Sequence, residues 1–160
     1  MSENADYFGQ PMREYGPNKL PPYYVMWKPH QPKPGEGGYK VYVDTEIQYA
    51  GTVARHILPL LREKKIAHKF IPTLQFVGQV YRGVYDDTSR GKFVVTYPGD
   101  NEVEVHRLIR AIDDLLIPLG LPLARDLVPI DRHSDPPGPC KGMGKSGLIF
   151  ISHVKDYRKD

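Results

Sequence analysis

Cysteine is almost missing. Cys140 is the one thiol in 160 residues. That excludes an intramolecular disulfide and any multi-cysteine metal site, and it fits folding in a reducing compartment. Long apolar runs are missing too. Leu115–Ala124 comes nearest, and Pro118 and Pro122 interrupt it well short of the ~18 residues a membrane helix needs. The N-terminus lacks the apolar core of a secretory signal peptide. A cytoplasmic protein is expected, or one secreted as an effector by a route without a classical signal. The six histidines are scattered, with no H-E-x-x-H or H-x-x-x-H pair to hold zinc. A one-sided charge is absent as well: 22 Lys and Arg against 19 Asp and Glu leave a net +3. Such a mild excess suits an anionic partner without demanding nucleic acid. A Walker A loop is also lacking. Gly142-Met143-Gly144-Lys145-Ser146 has its Gly-Lys-Ser, but the first glycine would fall at position 139, which is proline, and a β-type run follows where a helix is needed.

What is present suits a folded chain of single-domain size: 40% hydrophobic and 26% charged residues. Residues 1–38 form a distinct arm and linker with 7 of the 16 prolines and 5 of the 15 glycines. Proline removes amide donors and fixes φ, so a regular helix or central strand is not expected there. The stretch Leu20–Trp27 is rich in Tyr, Val, Met and Trp. It is expected to pack on the domain as an extended arm, with a looser linker at Lys33–Gly38. Residues 39–160 make a single domain.

Within that domain, alternation and β-rich composition predict strands at Tyr39–Val43, His68–Pro72, Lys92–Tyr97 and Leu148–His153, with a further short strand at Ala124–Val128. Helical spacing predicts Ile47–Lys65, with Thr45 as N-cap and Pro59 kinking it or ending its regular part, and Glu102–Leu119, stopped by Gly120. Leu74–Val80 fits either type. Tyr81–Gly91 and Ser134–Gly144 read as loops. The result is an α+β fold: a small mixed sheet, two main helices and a Pro-rich N-terminal arm.

Cations recur at strand ends and loops. Lys40 shares a strand face with Tyr42 by the period of two. Lys69 sits between His68 and Phe70; Arg82, Arg90 and Lys92 lie in or beside the loop before the third strand; Arg132 and His133 follow the fourth. If the sheet gathers them, they form a pocket for a dianion such as a phosphate monoester. Otherwise they are ordinary solvated charges. The 11 tyrosines among basic residues also suit single-stranded nucleic acid. No RNP-type motif is present and the acids dilute the charge, so nucleic acid is not the expected partner.

Tyr39-Lys40-Val41-Tyr42-Val43, His68-Lys69-Phe70 and Arg90-Gly91-Lys92-Phe93-Val94-Val95-Thr96-Tyr97-Pro98 together resemble the phosphothreonine/phosphoserine lyase superfamily. That superfamily includes type III effector phosphothreonine lyases and the lyase domains of class III, IV and V lanthipeptide synthetases. The likeness spans about residues 39–133, and Gly91–Pro98 is its most specific part. It implies metal-free, cofactor-free β-elimination: a lysine removes the Cα proton of a phosphoserine or phosphothreonine, phosphate leaves, and a dehydroamino acid remains. By position Lys69 matches the base. Lys40, Arg90 and Lys92 match phosphate or backbone-carbonyl contacts, Arg132 matches a later phosphate-binding arginine, and His133 lies beside it. The general-acid histidine is replaced by Tyr42, whose ordinary pKa of ~10 suits neutral pH less well; His68 or His133 are the stand-ins if geometry allows. The implied partner is a phosphorylated peptide or protein, with room for a partner kinase or a leader peptide. The other outcome is a non-catalytic module of the same fold that grips a phosphorylated or acidic protein.

Overall fold

A computed structural model describes residues 7–18, 23–27, 36–85, 89–123, 128–134 and 136–157. Two short strands come first, β1 (Tyr15–Pro17) and β2 (Val25–Trp27), then β3 (Gly38–Val43). Helix α1 (Ala50–Glu63) leads to β4 (Ala67–Phe70), and α2 (Leu74–Tyr81) leads to β5 (Val94–Gly99). Helix α3 (Glu102–Leu116) is followed by β6 (Ile130–Asp131), β7 (Gly138–Pro139), β8 (Lys141–Met143) and β9 (Ile149–Val154). Seven strands form one sheet in the order β1-β2-β4-β5-β3-β9-β8; β6 and β7 make a separate ribbon. Every neighbouring pair is antiparallel. The class is α+β, with an antiparallel sheet and a third helix, α2, at the stretch whose pattern fitted either type. Among the described residues no helix is long and apolar enough to cross a membrane.

Local chemistry accounts for the elements. Asn101 caps α3 by accepting the Glu104 N–H at 3.1 Å, and Glu102 and Glu104 lie in its first turn, where the helix dipole favours them. The buried stripe Val105, Leu108, Ile109, Ile112 and Leu116 gives it a core face. Gly120, at φ 60°, takes the left-handed conformation that ends the 3-10 turn Ile117–Leu119. Thr73 caps α2 by accepting the Phe76 N–H. The expected start and N-cap of α1 need correcting, and of the two outcomes expected at Pro59 an end to the helix is the one not seen. Pro59 lies inside the helix, which runs on to Glu63, and the helix starts at Ala50 behind a 3-10 turn, Ile47–Tyr49. Thr45 is therefore no cap; its hydroxyl donates to the Glu46 carbonyl.

The sheet has two chemically different faces. On one, Tyr15 and Trp27 enclose His68: the Trp27 ring stacks on it, and Tyr15 meets both His68 and Phe70 edge to face. Helix α1 lies over this side, where Arg62 donates to the Tyr15 hydroxyl at 3.0 Å and to Gln10 at 2.8 Å. The aromatic residues Tyr23, Tyr24 and Trp27 are all buried. Residues 20–22 and 33–35 of the expected arm and linker, and 86–88 of the expected loop, lie outside the described residues. So do 124–127 of the expected short strand; the strand in that region is β6, at Ile130–Asp131, and Val128 is not in it. The expected loop Ser134–Gly144 contains β7 and β8.

Candidate active site

The period of two puts Lys40 and Tyr42 on one face of β3. Tyr42 pairs opposite Val95 of β5, and Val95 pairs opposite Lys69 of β4. Directly opposed residues of antiparallel strands share a face, so Lys69 joins Lys40 and Tyr42, two strand spacings or ~10 Å from Tyr42. β9 adds Ser152 opposite Lys40 and Phe150 opposite Tyr42. This is the face turned away from His68 and α1.

Three lysines are buried there: Lys40 at 0%, Lys69 at 4% and Lys92 at 6% exposure. Lysine is almost never so buried unless its charge is compensated. Among the described residues that compensation includes a carboxylate and aromatic rings. Lys40 Nζ lies 3.7 Å from Asp131 Oδ2. Lys69 Nζ lies 4.7 Å from the Tyr24 ring centroid and 6.0 Å from that of Tyr97. Lys92 Nζ stands 5.2 Å from the centroid of the Tyr42 ring. Desolvated cation–π contacts contribute about 2 kcal/mol each. The Tyr24 hydroxyl donates to the Lys92 carbonyl, tying the strand residues of the N-terminal region to the loop before β5.

Asp131 gathers the donors. Its Oδ2 accepts from the Tyr42 hydroxyl at 2.7 Å and from the Ser152 hydroxyl at 2.8 Å, and Oδ1 accepts the His133 backbone N–H at 2.8 Å. Burial alone would push this carboxyl up, but the Lys40 charge and the three hydrogen bonds together hold it below the ordinary value. It is a carboxylate at neutral pH. Nothing in the sequence marks Asp131, a lone acid between Ile130 and Arg132. The same holds for Ser152 and Tyr24, which the sheet register brings to this face and no motif does.

The other candidates fall outside this cluster. Arg90 is half-buried and its Nε donates to the Tyr81 carbonyl at 3.2 Å, at the end of α2. Arg132 and His133 are exposed next to Asp131. His68 is not a stand-in acid for Tyr42: it lies on the opposite face. The Ile66 carbonyl can only accept, so His68 Nδ1 carries the proton, and Nε2 accepts from the Tyr15 hydroxyl at 2.7 Å. Burial pulls its pKa down to about 4, so it stays neutral. Cys140 is buried near the cluster; burial pushes its thiol up to about 11 against the pull of Lys92 and Lys40, so it is no nucleophile at neutral pH. The glycine-rich loop does not offer its amides to a phosphate, because the Lys145 and Ser146 N–H groups grip Asp113 of α3 at 2.7 and 2.9 Å. Among the described residues no group of three or more His, Cys, Asp or Glu could hold a metal ion.

A second buried carboxyl closes the same side of β3. Asp44 accepts hydrogen bonds from the Tyr81 hydroxyl and, at 2.7 Å, from the Thr45 N–H. Burial pushes its pKa up to about 7, against the lowering effect of both hydrogen bonds.

Comparison with known proteins bears on the fold and the family of the chain. The solved structure of the type III effector/phosphothreonine lyase OspF from Shigella flexneri superposes with a TM-score of 0.55. The match covers 99% of this chain and 78% of that one at 12% identity, which is a likeness of fold. No curated protein matches the sequence. The family described as the N-terminal domain of RamC matches residues 18–122, from just before β2 to just past α3. Lys40, Tyr42, Lys69, Arg90 and Lys92 lie within that span, and Asp131 and Ser152 lie beyond it. The family is distinct from that of the effector lyase, whose relation to this chain is one of fold. The chain belongs to the RamC N-terminal domain family.

Proposed function

We propose that the protein is a phosphoserine/phosphothreonine lyase that acts on a peptide or protein by metal-free β-elimination. The observation that carries this reading is three buried lysines with one phenol on a single sheet face. Three buried cations gathered on one sheet face suit an incoming anion. The OspF-like fold and the resemblance of Gly91–Pro98 to lanthipeptide lyase domains support phosphopeptide as that anion.

In the proposed step Lys69 first gives a proton to solvent, and the resulting free amine takes the Cα proton. The C–H electron pair forms the Cα=Cβ double bond as the Cβ–O bond breaks. The bridging oxygen leaves with the phosphate and receives the Tyr42 proton, giving a dehydroamino acid and inorganic phosphate. Lys40 and Lys92 offset the negative charge that grows on the leaving group, with Arg90 and Arg132 approaching from the rim. The test is mass spectrometry of phosphothreonine and phosphoserine peptides incubated with the enzyme. Loss of one H3PO4 per site is expected from wild type and not from Lys69→Ala. Phosphopeptides left intact, or converted to plain serine and threonine, would exclude the lyase.

One observation favours a second reading. The Tyr42 proton already has a carboxylate acceptor, and the neutral His68 is on the wrong face to replace it. A module that binds a phosphorylated or acidic partner without turnover would show saturable phosphopeptide binding, weakened by charge removal at Lys92, with no mass change.

A further inference from the structure

We infer that Asp131 is a built-in anion seated where the substrate's phosphate binds, so that the site exchanges this internal carboxylate for an external phosphate monoester. The inference rests on the lyase reading above and adds to it how access to the anion seat is controlled.

Three facts lead there. The first is the set of partners. Asp131 Oδ2 receives the Tyr42 and Ser152 hydroxyl protons and faces the Lys40 ammonium. A cation and two hydroxyl donors converging on one oxygen are what a phosphate oxygen needs. The second is the commitment of Tyr42. While Asp131 is seated, the phenol proton points to a carboxylate oxygen. To protonate a leaving bridging oxygen, the phenol must change acceptor, and the phosphate ester must stand where Oδ2 stands. Two anions cannot share the Lys40 and Tyr42 donors without strong repulsion, so one displaces the other.

The third is how Asp131 is attached. It does not belong to the seven-stranded sheet. β6 pairs with β7 through Ile130–Pro139 and Asp131–Gly138, and the isolated bridge Ser134–Val154 touches the main sheet. A two-residue ribbon has little stability of its own. The segment is instead closed on itself: His133 N–H bonds Oδ1 of Asp131, and the Ser134 hydroxyl bonds its carbonyl. Asp131 is therefore tied to the site face by its side chain, while its backbone is held by β7, which runs through Cys140 into β8, and by the Cys140 N–H bond to the Pro129 carbonyl at 2.8 Å. An anion that takes over Lys40, Tyr42 and Ser152 removes that hold without breaking the main ladder. The exposed Arg132 and His133 travel with Asp131 and lie beside the incoming phosphate.

The test is calorimetric titration of the full chain with inorganic phosphate for wild type, Asp131→Asn and Lys69→Ala. Asparagine keeps an acceptor oxygen and removes the charge, so Asp131→Asn is expected to bind phosphate at least ~10-fold more tightly than wild type. Hydrogen exchange of wild type supplies a readout free of mutation: saturating phosphate is expected to speed exchange across residues 130–134. Unchanged or weaker binding by Asp131→Asn, or unchanged or slower exchange in wild type, would overturn the inference and leave Asp131 as a positioning residue for Tyr42. If wild type binds phosphate and Lys69→Ala weakens it while Asp131→Asn does not tighten it, the phosphate site that the lyase reading needs stands and this inference falls. If neither wild type nor Asp131→Asn binds phosphate, both fall.

Discussion

Titration at single residues is set here by the partners each buried group meets. His68 and Lys69 are neighbours in the chain, yet one is sealed under Trp27 and Tyr15 as a neutral ring and the other lies over Tyr24 among cations. Asp131 and Asp44 are both buried carboxyls, and they diverge for a similar reason. Asp131 has a lysine and three donors that keep it ionised. Asp44 has Tyr81 and Thr45 but, among the described residues, no cation to offset its burial, and its pKa rises to about 7. Linkage gives this a sign. Between its unfolded value near 4 and its folded value near 7, Asp44 binds more protons in the folded state, so its contribution to stability falls as pH rises through that window. His68 acts the other way, its folded value of about 4 lying below the unfolded one, so its contribution is lost as pH falls from about 6.5 to 4. Comparing Asp44→Asn with wild type cancels the His68 part, which both share. The variant is expected to gain on the order of 3 kcal/mol relative to wild type between about pH 5 and pH 8, measured by urea unfolding. A difference that stays flat with pH would show that Asp44 ionises normally.

At the scale of elements, the links that matter run between loops and helices. Asp113 on α3 holds the turn before β9 through the Lys145 and Ser146 amides. Gly144, at φ 73°, sits so close that a Cβ would lie 2.8 Å from the carboxylate. This grip sets the start of β9, which carries Ser152 to the site. Asp113→Ala leaves both amides without their charged acceptor, and a loss of about 2–3 kcal/mol is expected in urea unfolding. A loss under about 0.5 kcal/mol would mean that water replaces the carboxylate at no cost. The same elements show how far the sequence could be read. Strands β3, β4, β5 and β9 were legible from their β-rich composition, and helices α1 and α3 from long apolar periodicity, although only α3 has an ordinary side-chain cap. The ribbon of β6 and β7 and the edge strand β8 were not: they are two or three residues long, and the Gly and Pro in β7 and the Gly in β8 read as loop until tertiary pairing overrides local preference. Helix α2 has only eight residues, too few for its spacing to separate helix from buried strand, although Thr73 was a usable cap signal.

For the whole molecule, the consequential arrangement is strand order. β4, β5 and β3 are neighbours in the sheet although α1, α2 and their loops separate them in the chain. That order turns Lys40 and Lys69, with Tyr42 between them in the sequence, into one surface. Alternation fixed in advance only that Lys40 and Tyr42 share a face; that Lys69 and Lys92 join them was what the resemblance implied, and strand pairing is what puts Lys69 on that face. Asp131, Ser152 and Tyr24 could not be foreseen, because their faces depend on which strands are paired and in what register. Arg132 and His133 end up at the rim for the same reason, carried on a ribbon outside the sheet. The account stands on one small anion being held among the three buried lysines. A crystal structure of the protein soaked in phosphate or sulfate tests this most directly. A single tetrahedral anion within hydrogen-bond reach of Lys40, Lys69 and Lys92, with Asp131 displaced from Tyr42, is the expected result. An anion bound elsewhere, with Asp131 still on Tyr42 and the lysines untouched, would contradict it.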